Sequence, residues 1–222
     1  MTTTRSHKAV DPESDAQQRR EFTHAILGDL RALERMLKEG LFETGVRRIG
    51  AEQEMFLVDQ AWAPAPGALE MLKRLDDDHF TTELGMFQLE ANCDPQPLGG
   101  DGLSRMERQL DELMEKARKA AAEINLQPVL MGILPTMRKS DLGLHNMVPS
   151  LRYQTLGKVM HELRDGKFEI SIKGLDELII EHDSVMVEAC NSSFQVHFQV
   201  EPAEFARMYN LAQLLAGPMM SI

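Results

Sequence analysis

Two glutamates separated by a single residue could bind a divalent cation. Glu52 and Glu54 lie in the segment from Val46 to Val58, which we predict to be a strand, so both side chains leave the same face. The segment is apolar on both faces, which indicates burial. Buried carboxylates repel each other and lose hydration, and hard cations such as Mg²⁺ would offset both costs. The spacing also fits a strand end at the surface, with both acids in water.

A second acidic segment extends from Glu83 to Glu90. Gln88, Glu90 and Asn92 alternate with apolar residues, which is typical of a half-polar strand. Glu83 is an odd number of positions from Glu90, so one unbroken strand would point the two carboxylates to opposite faces. We therefore expect Gly85 to provide a bulge or turn if the pair shares one ion. Two unrelated surface acids are the alternative.

The segment from Ser193 to Val200 alternates most regularly between polar and apolar residues, and we predict a strand. Its polar face carries Gln195 and His197, and its apolar face is expected to pack into a core. A polar face without lysine or glutamate suits a cleft in which amides position a ligand. His197 could bind a metal there, or it could be a structural histidine.

Three other features have weaker chemical signals. Arg152, after a proline-containing loop, could contact an acidic substrate or form a surface ion pair. The segment Gly99 to Gly102 matches no phosphate-binding motif and predicts a turn that leads into a helix. Cys93 and Cys190 have no context for a nucleophile, a disulfide framework or a zinc site. No catalytic side chain is assigned.

The elements that would position these residues form a mixture of helices and strands without regular alternation. This order predicts an α+β fold with a mainly antiparallel sheet, and residues 1–15 are expected to be a disordered tail. Predicted helices are 16–38, 69–75, 103–125, 151–163 and one beginning at Pro202; predicted strands are 46–58, 87–92, 128–134, 168–172, 184–189 and 193–200.

Composition excludes several classes of function. The 222 residues include 35 acids and 24 Lys or Arg, giving a net charge of −11, which disfavours nucleic-acid binding. The polar N-terminus has no apolar signal core, and no apolar run reaches the roughly 18 residues of a membrane span. We therefore predict a cytoplasmic protein with no nucleic-acid or membrane partner.

Taken in order, these segments resemble the glutamate–cysteine ligases and related carboxylate–amine ligases. No single motif is very specific, and the ordered set carries the likeness from about Arg47 onward. The matching features are Gly50–Glu54, then Glu83 and Glu90, then a strand with a histidine, together with Asn146–Tyr153 and Tyr209–Pro218.

The resemblance implies a glutamine synthetase-like fold, in which a curved antiparallel sheet holds ATP, divalent metals and glutamate on its concave face. By this likeness Glu54, Glu83 and Glu90 would hold one Mg²⁺ or Mn²⁺, and Glu52 with His197 would hold a second. The implied reaction is ATP-dependent formation of γ-glutamyl phosphate, followed by attack of the amine of cysteine. That product, γ-glutamylcysteine, belongs to glutathione biosynthesis.

Members of this family are longer, and their later glutamate and phosphate-binding arginines have no counterpart here. We therefore expect residues 16–222 to be the N-terminal part of a catalytic domain. Whether this chain is active by itself is left open. Two other functions stay open: a related ligase that uses another amine, and a non-catalytic binding or regulatory module of the same fold. The expected partners are small molecules, namely glutamate, cysteine or another amine, and ATP; the oligomeric state is not predicted.

Overall fold

The computed structural model describes residues 12–163, 168–182 and 184–221, and it divides the chain into two units. One unit is Arg47–Gln199, and the other combines the chain before Arg47 with the chain after Gln199. The helices are α1 (Pro12–Glu39), α2 (Ala68–Leu75), α3 (Gly102–Ala122), α4 (Leu151–Leu163) and α5 (Phe205–Met220). The strands are β1 (Arg48–Val58), β2 (Phe80–Thr82), β3 (Gln88–Asn92), β4 (Gln96–Pro97), β5 (Gln127–Val129), β6 (Phe168–Lys173), β7 (Glu177–His182) and β8 (Phe194–Phe198). Short 3₁₀ helices span Lys139–Leu142, Leu144–Asn146, Val185–Cys190 and Pro202–Glu204.

β1 is the central strand of a six-stranded sheet in the unit Arg47–Gln199. One of its edges pairs with β3 and β4, and the other edge pairs with β8 and β5. β2 extends the sheet beyond β3, and every pairing is antiparallel. The mixture of helices with an antiparallel sheet confirms the predicted α+β class.

The two faces of β1 contact different parts of the core, because successive side chains of a strand point to opposite sides. Met55 and Leu57 are fully buried against α2 and α3, whereas Phe56 and Val58 are fully buried on the other face. The prediction that this strand is apolar on both faces is therefore correct for its C-terminal half. The first cluster also includes Ala68, Met71, Leu89, Ala91, Leu113, Ala117 and Ala121; the second includes Leu84, Phe87, Leu134, Leu142, Met147, Met186 and Ala189.

The strand predicted at 184–189 is wrong, because this stretch forms the 3₁₀ helix Val185–Cys190. The Ser184 hydroxyl accepts a hydrogen bond from the backbone N–H of Met186, which favours the start of a helical turn. Met186 and Ala189 are both buried at a spacing of three residues. A short apolar run does not distinguish a buried strand from a buried helical turn.

Two element boundaries and three strands also differ from the prediction. α1 begins at Pro12, so residues 12–15 are helical and not part of a tail; proline suits the first helical turn because it has no N–H to satisfy there. Residues 1–11 and 222 lie outside the described residues. The strand predicted at 128–134 ends at Val129, and the strands β2, β4 and β7 were not predicted.

The apolar face predicted for the strand around His197 does not pack into a core. Phe194, Val196 and Phe198 are 46%, 42% and 56% exposed. Within the described residues β8 pairs with β1 as its one neighbour, so it lies at a sheet edge. Alternation fixes which residues share a face, but it does not show whether anything covers that face.

Among residues 12–163, 168–182 and 184–221, the helices are too short or too polar to cross a lipid bilayer.

Candidate metal centre

Glu54 and Glu90 face each other across neighbouring strands. They are direct partners in the pairing of β1 with β3, so their side chains leave the same face of the sheet. That face is opposite to the one on which Met55 and Leu89, the next pair along, contact α2 and α3. Strand pairing therefore brings together two carboxylates that are 36 positions apart in the chain.

Glu83 reaches the same place because the chain turns back between β2 and β3. Thr81 pairs with Glu90, so Glu83 follows directly on a strand that runs antiparallel to β3. Gly85 lies in the turn and its N–H donates to Gln88 Oε1 at 3.1 Å. A side chain on Gly85 would crowd Gln88 and Phe87. The turn expected at Gly85 is therefore present, and it connects β2 to β3.

The three carboxylates Glu54, Glu83 and Glu90 converge, with one oxygen of each lying within 4.8 Å of the others. Glu90 is buried, and Glu54 and Glu83 are half-buried. Burial, followed by the hydrogen bond and the negative charge of Glu90, raises the pKa of Glu83 to about 8. The cluster therefore retains a proton near neutral pH unless a cation takes its place. Three oxygen donors at this separation fit a hard divalent cation such as Mg²⁺ or Mn²⁺.

Neighbouring polar groups hold two of these carboxylates in place. The Ser193 backbone N–H donates to Glu54 Oε2 at 2.8 Å, and Gln195 Nε2 donates to Glu54 Oε1 at 3.1 Å. Asn92 Nδ2 donates to Glu90 Oε1 at 2.7 Å. Such contacts orient carboxylates for a cation. Gln195, predicted to contact substrate, thus contacts a carboxylate of the cluster in the structure.

Glu52 and His197 form a second group on the same face. His197 Nε2 lies 3.2 Å from Glu52 Oε1, and the side chain of Glu52 is 24% exposed while that of His197 is 55% exposed. His197 is the strand partner of Gly50, and Glu52 is the partner of Gln195. A Cβ added at Gly50 would lie 3.8 Å from the Cβ of His197, which is an ordinary van der Waals distance. A carboxylate and an imidazole in contact are a suitable pair of ligands for a further divalent ion.

Arg152, the other residue predicted to bind substrate, lies in the first turn of α4 and is exposed. Its guanidinium carbon is 5.8 Å from the centre of the Tyr153 ring. Tyr153 is half-buried, and burial and the charge of Glu83 raise its pKa. Tyr153 packs against the buried residues that include Leu84, which directly follows Glu83 in the chain.

The site predictions did not include Asn92, Ser193 and Tyr153, which surround the carboxylates. Asn92 had a usable signal, because it lies on the same polar strand face as Glu90, whereas Leu89 and Ala91 lie on the opposite, apolar face. Ser193 acts through its backbone N–H, and no side-chain pattern can indicate such a contact.

Comparison with known proteins gives one family and one relative. The sequence model of Glutamate-cysteine ligase family 2 (GCS2) matches residues 48–220. A protein of Frankia alni, named "Putative glutamate--cysteine ligase 2-3", is 29% identical over 109 residues, which is 49% of this chain and 12% of that protein. The chain therefore matches a small part of that relative's length. No solved structure matches the chain, so the glutamine synthetase-like fold stays a prediction.

Proposed function

Because the chain belongs to glutamate-cysteine ligase family 2 through residues 48–220, we propose that it serves in the ATP-dependent joining of the glutamate γ-carboxylate to an amine. The family name indicates a ligase-type enzyme. The convergence of Glu54, Glu83 and Glu90 is the observation that supports this assignment. Transfer of a phosphoryl group needs the negative charge of phosphate oxygens to be neutralised, and carboxylate-bound divalent ions serve that purpose.

In this proposal Glu54, Glu83 and Glu90 hold one Mg²⁺ or Mn²⁺, and Glu52 with His197 holds a second. When bound, these ions would supply positive charge next to the β- and γ-phosphates of ATP. Asn92, Gln195 and the Ser193 backbone N–H keep the carboxylates oriented. The core cluster that includes the fully buried Phe56 and Phe87 lies on the same face of the sheet as the carboxylates and excludes water from one side of them.

The chemistry has two steps. An oxygen of the glutamate γ-carboxylate forms a bond to the γ-phosphorus of ATP, and ADP leaves. The amine nitrogen then forms a bond to the acyl carbon of γ-glutamyl phosphate, and inorganic phosphate leaves. Cysteine is the amine that the family name suggests. The work of the protein is mainly positioning and charge neutralisation.

Calorimetric titration of Mg²⁺ tests the cluster directly. We expect Glu54→Gln to weaken Mg²⁺ binding by about tenfold or more, because one of three anionic ligands is lost. Glu115→Gln is the matched control, since Glu115 is an exposed residue of α3 that pairs with Lys119 at 3.4 Å. Equal Mg²⁺ affinity of wild type and Glu54→Gln would remove the observation on which the proposal depends.

ADP release tests the reaction. Wild type should release ADP from ATP only when Mg²⁺, glutamate and an amine are all present, and Glu54→Gln should not. Release that does not depend on glutamate would contradict the ligase assignment.

A further inference from the structure

A group of polar side chains connects the start of β2 and the end of β3 to α3. His79 directly precedes β2 and lies between two carboxylates: its Nδ1 is 2.6 Å from Asp77 Oδ1, and its Nε2 is 3.3 Å from Asp94 Oδ2. From α3, Gln109 Nε2 donates to Asp94 Oδ2 at 2.7 Å, and Lys116 Nζ donates to Asp77 Oδ2 at 2.6 Å. We call these five residues the His79 network. The proposed metal centre uses none of them as a ligand.

The charges of the network favour a protonated imidazole. The hydrogen bond to Asp77, followed by the one to Asp94, raises the pKa of His79 above its ordinary value of 6.5. Lys116 holds the pKa of Asp77 well below its usual range, and His79 lowers the pKa of Asp94. Both carboxylates therefore stay charged near neutral pH, and His79 is the member of the network that changes its charge there. Further charged residues of α2, α3 and the loop before β2 line the cavity that borders His79, namely Arg74, Asp76, Asp78, Lys119 and Glu123.

The two protonation states of His79 differ in how many carboxylates the ring can bind. The imidazolium donates from both nitrogens, from Nδ1 to Asp77 and from Nε2 to Asp94. The neutral ring has one N–H, and the shorter contact with Asp77 favours its place on Nδ1. Nε2 then presents a lone pair to Asp94 and can accept from Gln109 Nε2, which lies 3.4 Å away. Loss of the ring proton therefore weakens the link between the start of β2 and the end of β3.

Asn92 connects the His79 network to the metal centre. The backbone N–H of Asn92 donates to the His79 carbonyl at 2.7 Å, and its side-chain Nδ2 donates to Glu90 Oε1 at 2.7 Å. Asp94 follows Asn92 by two residues, and its own backbone N–H donates to Gln109 Oε1 at 3.1 Å. The residue that orients Glu90 is thus held on one side by His79, and its strand leads directly into the carboxylate that His79 binds.

We propose that His79 is a positioning residue for the metal centre, and that its protonated ring fixes Asn92 and Glu90 for the ion by holding Asp77 and Asp94 together. The inference rests on the metal centre of the proposed function. Within the carboxylate cluster itself pH acts at Glu83, where loss of a proton strengthens ion binding as pH rises. Loss of the His79 proton acts in the opposite direction. The Glu83 effect is the larger one, because Glu83 is itself a ligand.

Mg²⁺ titration of wild type and His79→Gln by calorimetry at two pH values tests the proposal. Near pH 6 the wild-type ring is charged, and we expect His79→Gln to bind Mg²⁺ about threefold more weakly. Near pH 9 the ring is neutral, and the two affinities should be nearly equal. His24→Gln, at an exposed histidine of α1, is the matched control and should bind as wild type does at both pH values. Equal affinities at both pH values, or one constant ratio, would overturn the proposal.

Asp94→Asn tests the same link from its other end. The side chain keeps its size and can still accept from Gln109, but it loses the charge that His79 binds. We expect Mg²⁺ binding about threefold weaker than wild type near pH 6, and little change near pH 9. The double variant with His79→Gln should be no weaker than either single variant, because both remove one interaction. Losses that add in the double variant would contradict the action of His79 through Asp94.

NMR titration of the metal-free protein detects the path from His79 to Glu90 without Mg²⁺. The His79 ring should titrate with a midpoint above 6.5, and the backbone and side-chain N–H signals of Asn92 should shift with the same midpoint. Asp94→Asn should lower that midpoint, because one of the two neighbouring carboxylates is then uncharged. Asn92 signals that do not follow the His79 titration would overturn the proposal.

The two measurements separate this inference from the proposed function. Normal Mg²⁺ binding by wild type with a pH-independent ratio to His79→Gln would defeat the positioning role alone. Asn92 signals that follow His79 in a wild-type protein without any Mg²⁺ binding would defeat the metal centre, and would support the hydrogen-bonded path from His79 to Glu90.

Discussion

Glu83 is the residue at which pH acts on the carboxylate cluster. Burial and the neighbouring Glu90 raise its pKa from an ordinary value of 4.5 to about 8. Between these values the folded protein keeps a proton on Glu83 that the unfolded chain has released. The free energy of unfolding of the metal-free protein therefore falls as pH rises through this window.

Glu83→Gln removes that dependence. The free energy of unfolding of the variant should equal that of wild type near pH 5 and exceed it by about 1–2 kcal/mol near pH 8.5. The difference is modest because Glu83 is half exposed and solvent screens its charge. Urea unfolding at both pH values, in the presence of a chelator, measures this difference in stability, and Glu115→Gln is the control. A stability difference that does not grow with pH would contradict the raised pKa of Glu83.

At the scale of elements, α3 is held close to β4 by a glycine at its first position. A Cβ on Gly102 would overlap the backbone carbonyl oxygen of Pro97, which cannot move aside as a flexible side chain can. The Gly102 N–H also donates to the Gly99 carbonyl at 3.0 Å. The turn predicted from the glycine-rich sequence is therefore present, and a close approach of backbones determines the glycine at its end.

Gly102→Ala should lower the free energy of unfolding by about 1–3 kcal/mol, because the overlap displaces the start of α3 from the sheet. Gly157→Ala in α4 is the contrasting control, and it should raise stability by up to about 1 kcal/mol, since alanine favours helix and space is available. Urea unfolding of the two variants measures both effects. Similar shifts in the two variants would show that helix propensity alone decides them.

At the scale of the whole molecule, the cluster should link divalent-ion binding to folding. A ligand that binds the folded state alone stabilises it, and free Mg²⁺ at about one hundred times its Kd would add about 2.7 kcal/mol for one site. The gain should be smaller near pH 6 than near pH 8.5, because Glu83 must lose a proton before it binds the ion. Thermal unfolding with Mg²⁺ or with a chelator measures this gain. An equal gain in Glu54→Gln would contradict binding at the cluster.

Much of the fold could be predicted from local pattern. Helical periodicity located α4 at the observed bounds and the other helices within a few residues. Alternation located β3 and β8, and a run that is apolar on both faces located β1. The prediction failed where local pattern is ambiguous, as in the 3₁₀ helix Val185–Cys190, or where the strand is short, as in β2 and β4. A segment of two or three residues takes its conformation from its partner strand and not from its own sequence.

For the site, the sequence by itself determined which side chains share a strand face. Glu52 with Glu54, and Gln195 with His197, follow from a period of two residues. The tertiary structure alone decided that Glu83 joins Glu54 and Glu90, that Glu52 contacts His197, and that the apolar side of β8 is exposed. Tertiary packing also decided that a cavity forms beside α4, lined in part by Tyr153, Gly157 and His161. The physical reason is that periodicity fixes direction within one segment, whereas distance and burial depend on strand register and on packing between residues far apart in the chain.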